Sequence, residues 1–295
     1  MINYKIKIKS IRNLLVFMLA GLLLSFCASV EKPAGESPKL IVRGDDMGMN
    51  HTCNLAVKKS FEEGILTCAS LMVPAPWFEE AARMCRENPE WCIGLHLTLN
   101  SEWKDYRWKP VLPVTEVPSL VDEDGYFYPT TEAFLKASPD MQEVEKELRA
   151  QMELAKKRGV DIQYIDTHMW TARATPELFS IVQAISEDYD LPISQDSGEE
   201  LLSIYEVPYQ LKEETLAGIL RNLQPGLWLL VVHPGLDTLE ERALVDINPE
   251  GLPNVAFNRA AVTRALTSER IKNIVKNRGI RLIDYRDVPR INTYK

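Results

Sequence analysis

Short apolar runs that each end in an aspartate or a histidine constrain this chain more than any other feature. They occur at 41–48, which carries Asp45 and Asp46, at 93–99 with His96, at 164–168 with Asp166 and His168, and at 229–235 with His233. An apolar run closed by a polar residue describes a side chain carried to the mouth of a parallel sheet or barrel, where α/β enzymes keep their chemistry. The chain has only four histidines, and three of them lie in these runs.

Residues 1–30 read as an export signal outside the fold. Lys5, Lys7, Lys9 and Arg12 form a basic region, and 14–28 is an apolar stretch too short for a confident membrane span. Residues 24–27 resemble a lipobox, with Cys27 as the lipidated residue, although Phe26 stands where a small residue is expected. Simple cleavage near Ser29 and an uncleaved anchor are the alternatives. Contact with a membrane is therefore expected only through such an anchor, and the protein is expected in the periplasm, outside the cell, or lipid-anchored to an outer membrane face. Residues 31–38 read as a linker.

Residues 39–295 alternate strand and helix patterns, which predicts an α/β fold: a complete or distorted (β/α) TIM-like barrel forming one domain. Strands are expected at 40–42, 68–73, 92–99, 163–165, 191–194, 227–232 and 280–284. Helices are expected at 54–63, 77–87, 141–158, 176–188, 209–223 and 260–277. The polar, Trp- and Pro-rich stretch 101–139 is too long for a plain connection and reads as an insertion over the barrel mouth. Cys53, Cys68, Cys85 and Cys92 make no C-x-x-C pair and read as buried free thiols, with a Cys85–Cys92 bridge as the alternative. A formal charge of -8 without a basic stripe excludes nucleic acid and favours a neutral substrate. An oligomer is compatible with the sequence.

Adjacent carboxylates in an extended chain point to opposite faces, so Asp45 and Asp46 suit different tasks, one holding a cation and one moving a proton. One carboxylate and two imidazoles at three strand ends would leave positions open on a catalytic divalent metal. Zinc, magnesium, cobalt and nickel are not separable on sequence. His233, fixed by the turn at Pro234-Gly235, suits a proton donor, while His51 reads as a helix cap. Each taken alone has a bland reading as a turn, cap or core residue; their convergence carries the argument.

The ordered set Asp45-Asp46-Met47-Gly48, Asn54, Gly64-Ile65-Leu66-Thr67, Ser70-Leu71-Met72, Gly94-Leu95-His96-Leu97-Thr98-Leu99, Asp166-Thr167-His168, His233-Pro234-Gly235, Arg264-Ala265-Leu266-Thr267-Ser268 and Gly279-Ile280-Arg281-Leu282 resembles the YdjC-like carbohydrate deacetylases, relatives of the polysaccharide deacetylases. The resemblance implies a barrel in which Asp46, His96 and His168 hold one divalent metal, Asp45 is the general base and His233 the general acid. An N-acetylated carbohydrate would release acetate. Asp166 is expected to orient an imidazole, and Arg259 and Trp170 to contact substrate. Family members usually carry a further histidine where this chain has Trp170, and Arg43 and Gly44 also depart from the family pattern. The rival reading is an exported, inactive carbohydrate-binding protein whose Trp103, Trp108 and Trp170 supply stacking surfaces. A binuclear amidohydrolase would need more histidines, a serine esterase lacks its Gly-x-Ser-x-Gly elbow, and a paired-carboxylate glycosidase leaves the histidines unexplained.

Overall fold

A computed structural model describes residues 37–248 and 251–288. The expected signal and Cys27 lie outside the described residues. In chain order the elements are β1 (Lys39–Met47), α1 (His51–Glu63), β2 (Cys68–Leu71), α2 (Phe78–Glu87), β3 (Cys92–Leu97), α3 (Thr131–Lys136), α4 (Met141–Lys157), β4 (Ile162–Thr167), α5 (Pro176–Tyr189), β5 (Glu200–Ser203), α6 (Lys212–Arg221), β6 (Leu227–Val232), α7 (Leu239–Arg242), α8 (Val255–Thr267), α9 (Glu269–Asn277) and β7 (Arg281–Leu282). The strands form one seven-stranded sheet in the order β4-β3-β2-β1-β6-β5, with β7 on the start of β1, and every ladder is parallel.

The sheet curls into a distorted barrel. Arg43, on the central strand β1, donates from Nη1 to Ser194 Oγ at 2.6 Å. Ser194 follows Ile193, which forms a parallel bridge beyond the far edge strand β4. A side chain that reaches from mid-sheet to the segment past its edge requires the sheet to wrap around it. Strand alternation then sorts two cores. Leu40 and Val42 face the helices, in a large core that also holds Leu71, Leu95 and Ile165. Ile41, Cys68, Cys92, Tyr164, Leu229 and Tyr285 fill the interior.

Gly94 is where that interior closes. A Cβ there would lie 2.2 Å from the Tyr164 ring. Tyr164 is fully buried, stacks on Tyr285 at 4.2 Å between centroids and shares a hydrogen bond with Ser70 Oγ at 3.0 Å. Only a residue without a side chain leaves room for the ring.

The insertion is a folded part of the molecule. Leu120, Phe127 and Phe134 join the outer core, and the Glu147 carboxylate on α4 accepts from the amides of Val111 and Leu112 at 2.9 and 3.0 Å. Trp103 and Trp108 are each only 2% exposed, and Trp108 Nε1 donates to Asn100 O at 2.7 Å. Neither is an open stacking surface. Trp170, at 55%, is exposed.

Several expected boundaries differ. The expected strand at 191–194 makes one bridge, at Ile193, while the short and largely exposed β5 carries no periodic signal. The expected helix at 260–277 is two helices, because Ser268 is extended (ψ 129°) between them; serine favours such a junction. The expected helix at 209–223 opens with a 3-10 turn (Tyr209–Leu211) before α6. Cys53, Cys68, Cys85 and Cys92 are free and buried.

Gly94→Ala should destabilise the fold by about 3 kcal/mol, the scale of overpacking a closed core. Chemical denaturation should show this loss, and adding Tyr164→Leu should recover part of it. An unchanged midpoint for the single variant would contradict this packing.

Candidate metal and catalytic site

The ends of β1, β3, β4 and β6 open onto one cavity of about 960 Å³, lined by Asp45, Asp46, His96, His168 and His233 among others. Adjacent Asp45 and Asp46 face it together because strand alternation fails there. Asp46 has φ 70°, a left-handed conformation that aspartate tolerates better than most residues. The expectation that they point to opposite faces is corrected by this turn.

Three donor atoms converge. Asp46 Oδ1 lies 3.6 Å from His96 Nε2 and 3.5 Å from His168 Nδ1, and the two ring nitrogens are 3.3 Å apart. A tetrahedral cation with bonds of about 2.1 Å has donor separations of about 3.4 Å, so the triangle fits a zinc-sized ion. Among the described residues Asp46 Oδ1 is buried without a hydrogen-bond partner, as expected of an atom whose partner is a cation.

The opposite side of each donor residue faces a charged partner. Asp46 Oδ2 accepts from Arg259 Nη2 at 2.6 Å. Asp166 Oδ2 lies 2.9 Å from His96 Nδ1. Glu102 Oε2 lies 3.0 Å from His168 Nε2. Such partners fix ring orientation and tautomer in metal sites. Arg259, read from sequence as a substrate contact, lies within this shell and also approaches Glu241 Oε1 at 3.6 Å. It comes this close because Gly235 has no Cβ, which would sit 2.6 Å from Arg259 Cβ.

Sequence reasoning missed Glu102 and the role of Arg43. Arg43 grips Asp45 through Nε and Nη2 at 2.7 and 2.8 Å and reaches Asp166 Oδ1 at 2.9 Å. It is 1% exposed. A basic residue alternating with an aspartate inside an apolar strand is a signal that could have revealed the pair. Glu102 offers less: its polar stretch resembles a solvated loop.

The titration behaviour follows from this crowding. Burial favours neutral Asp46, but the Arg259 guanidinium and the facing imidazoles outweigh it and hold the carboxyl well below its ordinary range. Burial also opposes charge on His96, yet Asp166 and Asp46 push its pKa up to about 9. His168 is raised to about 10, with Glu102 and Asp46 prevailing over burial. The same acids that raise these imidazoles would draw a cation to the triangle. His233 behaves differently: burial lowers its pKa below the ordinary value. Its ring meets Tyr205 edge-on at 5.5 Å.

The remaining expected residues are accounted for by position. Trp170 stands at the cavity wall outside the donor triangle, in a left-handed pair with Met169 (φ 59° and 49°). His51 lies at the start of α1, 3.0 Å from Glu80 and away from the donors.

Comparison with known proteins agrees with this architecture. A carbohydrate deacetylase of Thermus thermophilus is 33% identical over 251 residues, covering 77% of this chain and 89% of its own. One from Brevibacillus brevis is 26% identical, covering 85% and 99%. A solved structure from Enterococcus faecalis, described as a cellobiose-phosphate cleavage protein, superposes with a TM-score of 0.70 at 25% identity, covering 85% of this chain and 98% of its own. The model of the YdjC-like protein family matches residues 39–277, and the chain belongs to that family.

Proposed function

We propose that this protein is a metal-dependent carbohydrate deacetylase that hydrolyses the N-acetyl group of a neutral amino sugar and releases acetate. The reading is carried by the donor triangle of Asp46, His96 and His168 sharing one cavity with Asp45 and His233. The carbohydrate deacetylases to which the chain is similar support it.

Asp46, His96 and His168 would hold one divalent cation, which when bound acidifies water and polarises an amide carbonyl. Asp45 serves as the general base. Its carboxylate is clamped by Arg43, so it meets the attacking water in one orientation and the barrel shares the charge. His233 delivers a proton to the departing amine. Its lowered pKa makes it a ready donor once charged.

The cavity suits an uncharged sugar. Among the described residues, the Lys and Arg side chains on its wall are committed: Arg259 to Asp46, and Lys212, whose Nζ donates to the carbonyls of Ile204 and Tyr205 at 2.9 Å each. Carboxylates of Glu102, Glu132 and Asp246 line the same wall. Away from the cation, a phosphorylated sugar would meet this acidic wall without a free Lys or Arg to pair with it among the described residues.

The direct test is acetate release from N-acetylated mono- and disaccharides after chelation and after zinc, cobalt, nickel or magnesium is restored. Release should return with metal and vanish in His96→Ala, while Asp45→Asn and His233→Asn should lower kcat by about 10²- to 10⁴-fold. Sugar binding without any release would point instead to a binding protein.

The raised pKa values give a second test. In the metal-free protein, protonated His96 and His168 stabilise the fold fully below their unfolded value of about 6.5, and this stabilisation is lost as pH rises through about 9 and 10. The melting temperature of metal-free protein should therefore fall between about pH 7 and 10. Zinc-loaded protein, its ligands already deprotonated, should lack this component.

We also propose export, on the basic and apolar pattern of residues 1–30. Fractionation of cells expressing the full chain should place it outside the cytoplasm, and loss of membrane association in Cys27→Ser would support lipidation. A cytoplasmic protein would overturn the proposal.

A further inference from the structure

Glu102 and Trp103 are adjacent; Glu102 reaches one donor residue of the candidate metal triangle directly, and Trp103 packs on the arginine that holds another. Glu102 is 4% exposed, and its Oε2 lies 3.0 Å from His168 Nε2. The Trp103 ring packs against the Arg259 guanidinium at 5.6 Å, and Arg259 in turn holds Asp46 Oδ2 at 2.6 Å.

This segment is fixed from outside the barrel. Trp103 pairs with Asp246 in an antiparallel bridge. Lys104 N donates to Val245 O, and Ile247 N donates to Glu102 O, both at 2.9 Å. The segment thus forms a small two-stranded clip with 245–247, braced by backbone hydrogen bonds rather than by side chains free to rotate.

We propose that the clip of residues 102–104 positions two of the three metal ligands, with Glu102 selecting the His168 tautomer that presents Nδ1 to the cation and Trp103 steadying Arg259 against Asp46. The proposal rests on the metal-dependent reading above. An imidazole has two nitrogens, and the acceptor on one decides which lone pair is free. With Nε2–H donated to Glu102, Nδ1 carries the lone pair and faces Asp46 Oδ1. Without Glu102, the ring can bind through either nitrogen or rotate out of the triangle. The insertion then does more than shape the substrate cavity: its first residues help build the metal site from the side opposite the sheet.

Metal affinity tests this without turnover. Zinc is titrated against a chelating indicator into wild type, Glu102→Gln, Glu102→Ala and Trp103→Ala, each checked for folding by circular dichroism. Glu102→Ala should weaken zinc 10- to 100-fold, the range for losing an outer-shell partner. Glu102→Gln keeps an acceptor oxygen and should lose less, and Trp103→Ala should cost a smaller factor through Arg259. In zinc-loaded wild type, nuclear magnetic resonance should show His168 protonated at Nε2, with a downfield proton signal that Glu102→Ala removes.

A folded Glu102→Ala that binds zinc as tightly as wild type, or His168 carrying its proton on Nδ1, would overturn the proposal while leaving the metal-dependent reading intact. Wild type that binds no divalent cation would overturn both. Should Glu102→Ala fail to fold, the tautomer in wild type and the affinity of Glu102→Gln decide the matter.

Discussion

The carboxylates gathered at one end of the barrel are the constraint around which the site is organised. Asp45, Asp46, Glu102, Asp166 and Glu241 are all buried, and like charges cannot be packed together in a protein interior without compensation. Two buried arginines supply part of it, Arg43 between Asp45 and Asp166 and Arg259 between Asp46 and Glu241. Five acids against two guanidiniums leave an excess of negative charge, which raises the proton affinity of His96 and His168. A divalent cation would answer it better, because it would bond directly to Asp46 Oδ1, which the two imidazoles approach only at 3.6 and 3.5 Å.

The barrel interior is built to carry these charges. Along β1, Ile41 lies in the apolar lower layer, Arg43 forms a cationic layer above it, and Asp45 stands at the mouth. Gly94 gives up its side chain so that Tyr164 can close the floor beneath the charged layer. The strained turn at Asp46 then brings both aspartates onto one surface. Strain of this kind persists only where its surroundings hold it, and here Arg259 does.

Much of this was legible in the sequence, for a physical reason. Strands that end in Asp45, Asp46, His96, Asp166, His168 and His233 announce themselves through local apolar runs, and a parallel α/β fold carries such ends to one rim. What could not be read locally depends on contacts between distant segments. Glu102 looks like a solvated loop acid until the bridge from Trp103 to Asp246 places it. Arg259 shows no sign in the sequence of its hold on Asp46, which depends on the room that Gly235 leaves for it. The left-handed turn at Asp46 is hidden because aspartate accepts that geometry without advertising it, and β5 is too short and exposed to carry a periodic signal.

The site as described requires that one cation join residues from three strand ends. The most direct measurement is a crystal structure of zinc-loaded protein with anomalous scattering at the zinc edge. A single ion is expected about 2.1 Å from Asp46 Oδ1, His96 Nε2 and His168 Nδ1, with Asp45 and His233 outside its ligand set. An ion held elsewhere, or none bound while these donors keep their protons, would contradict it.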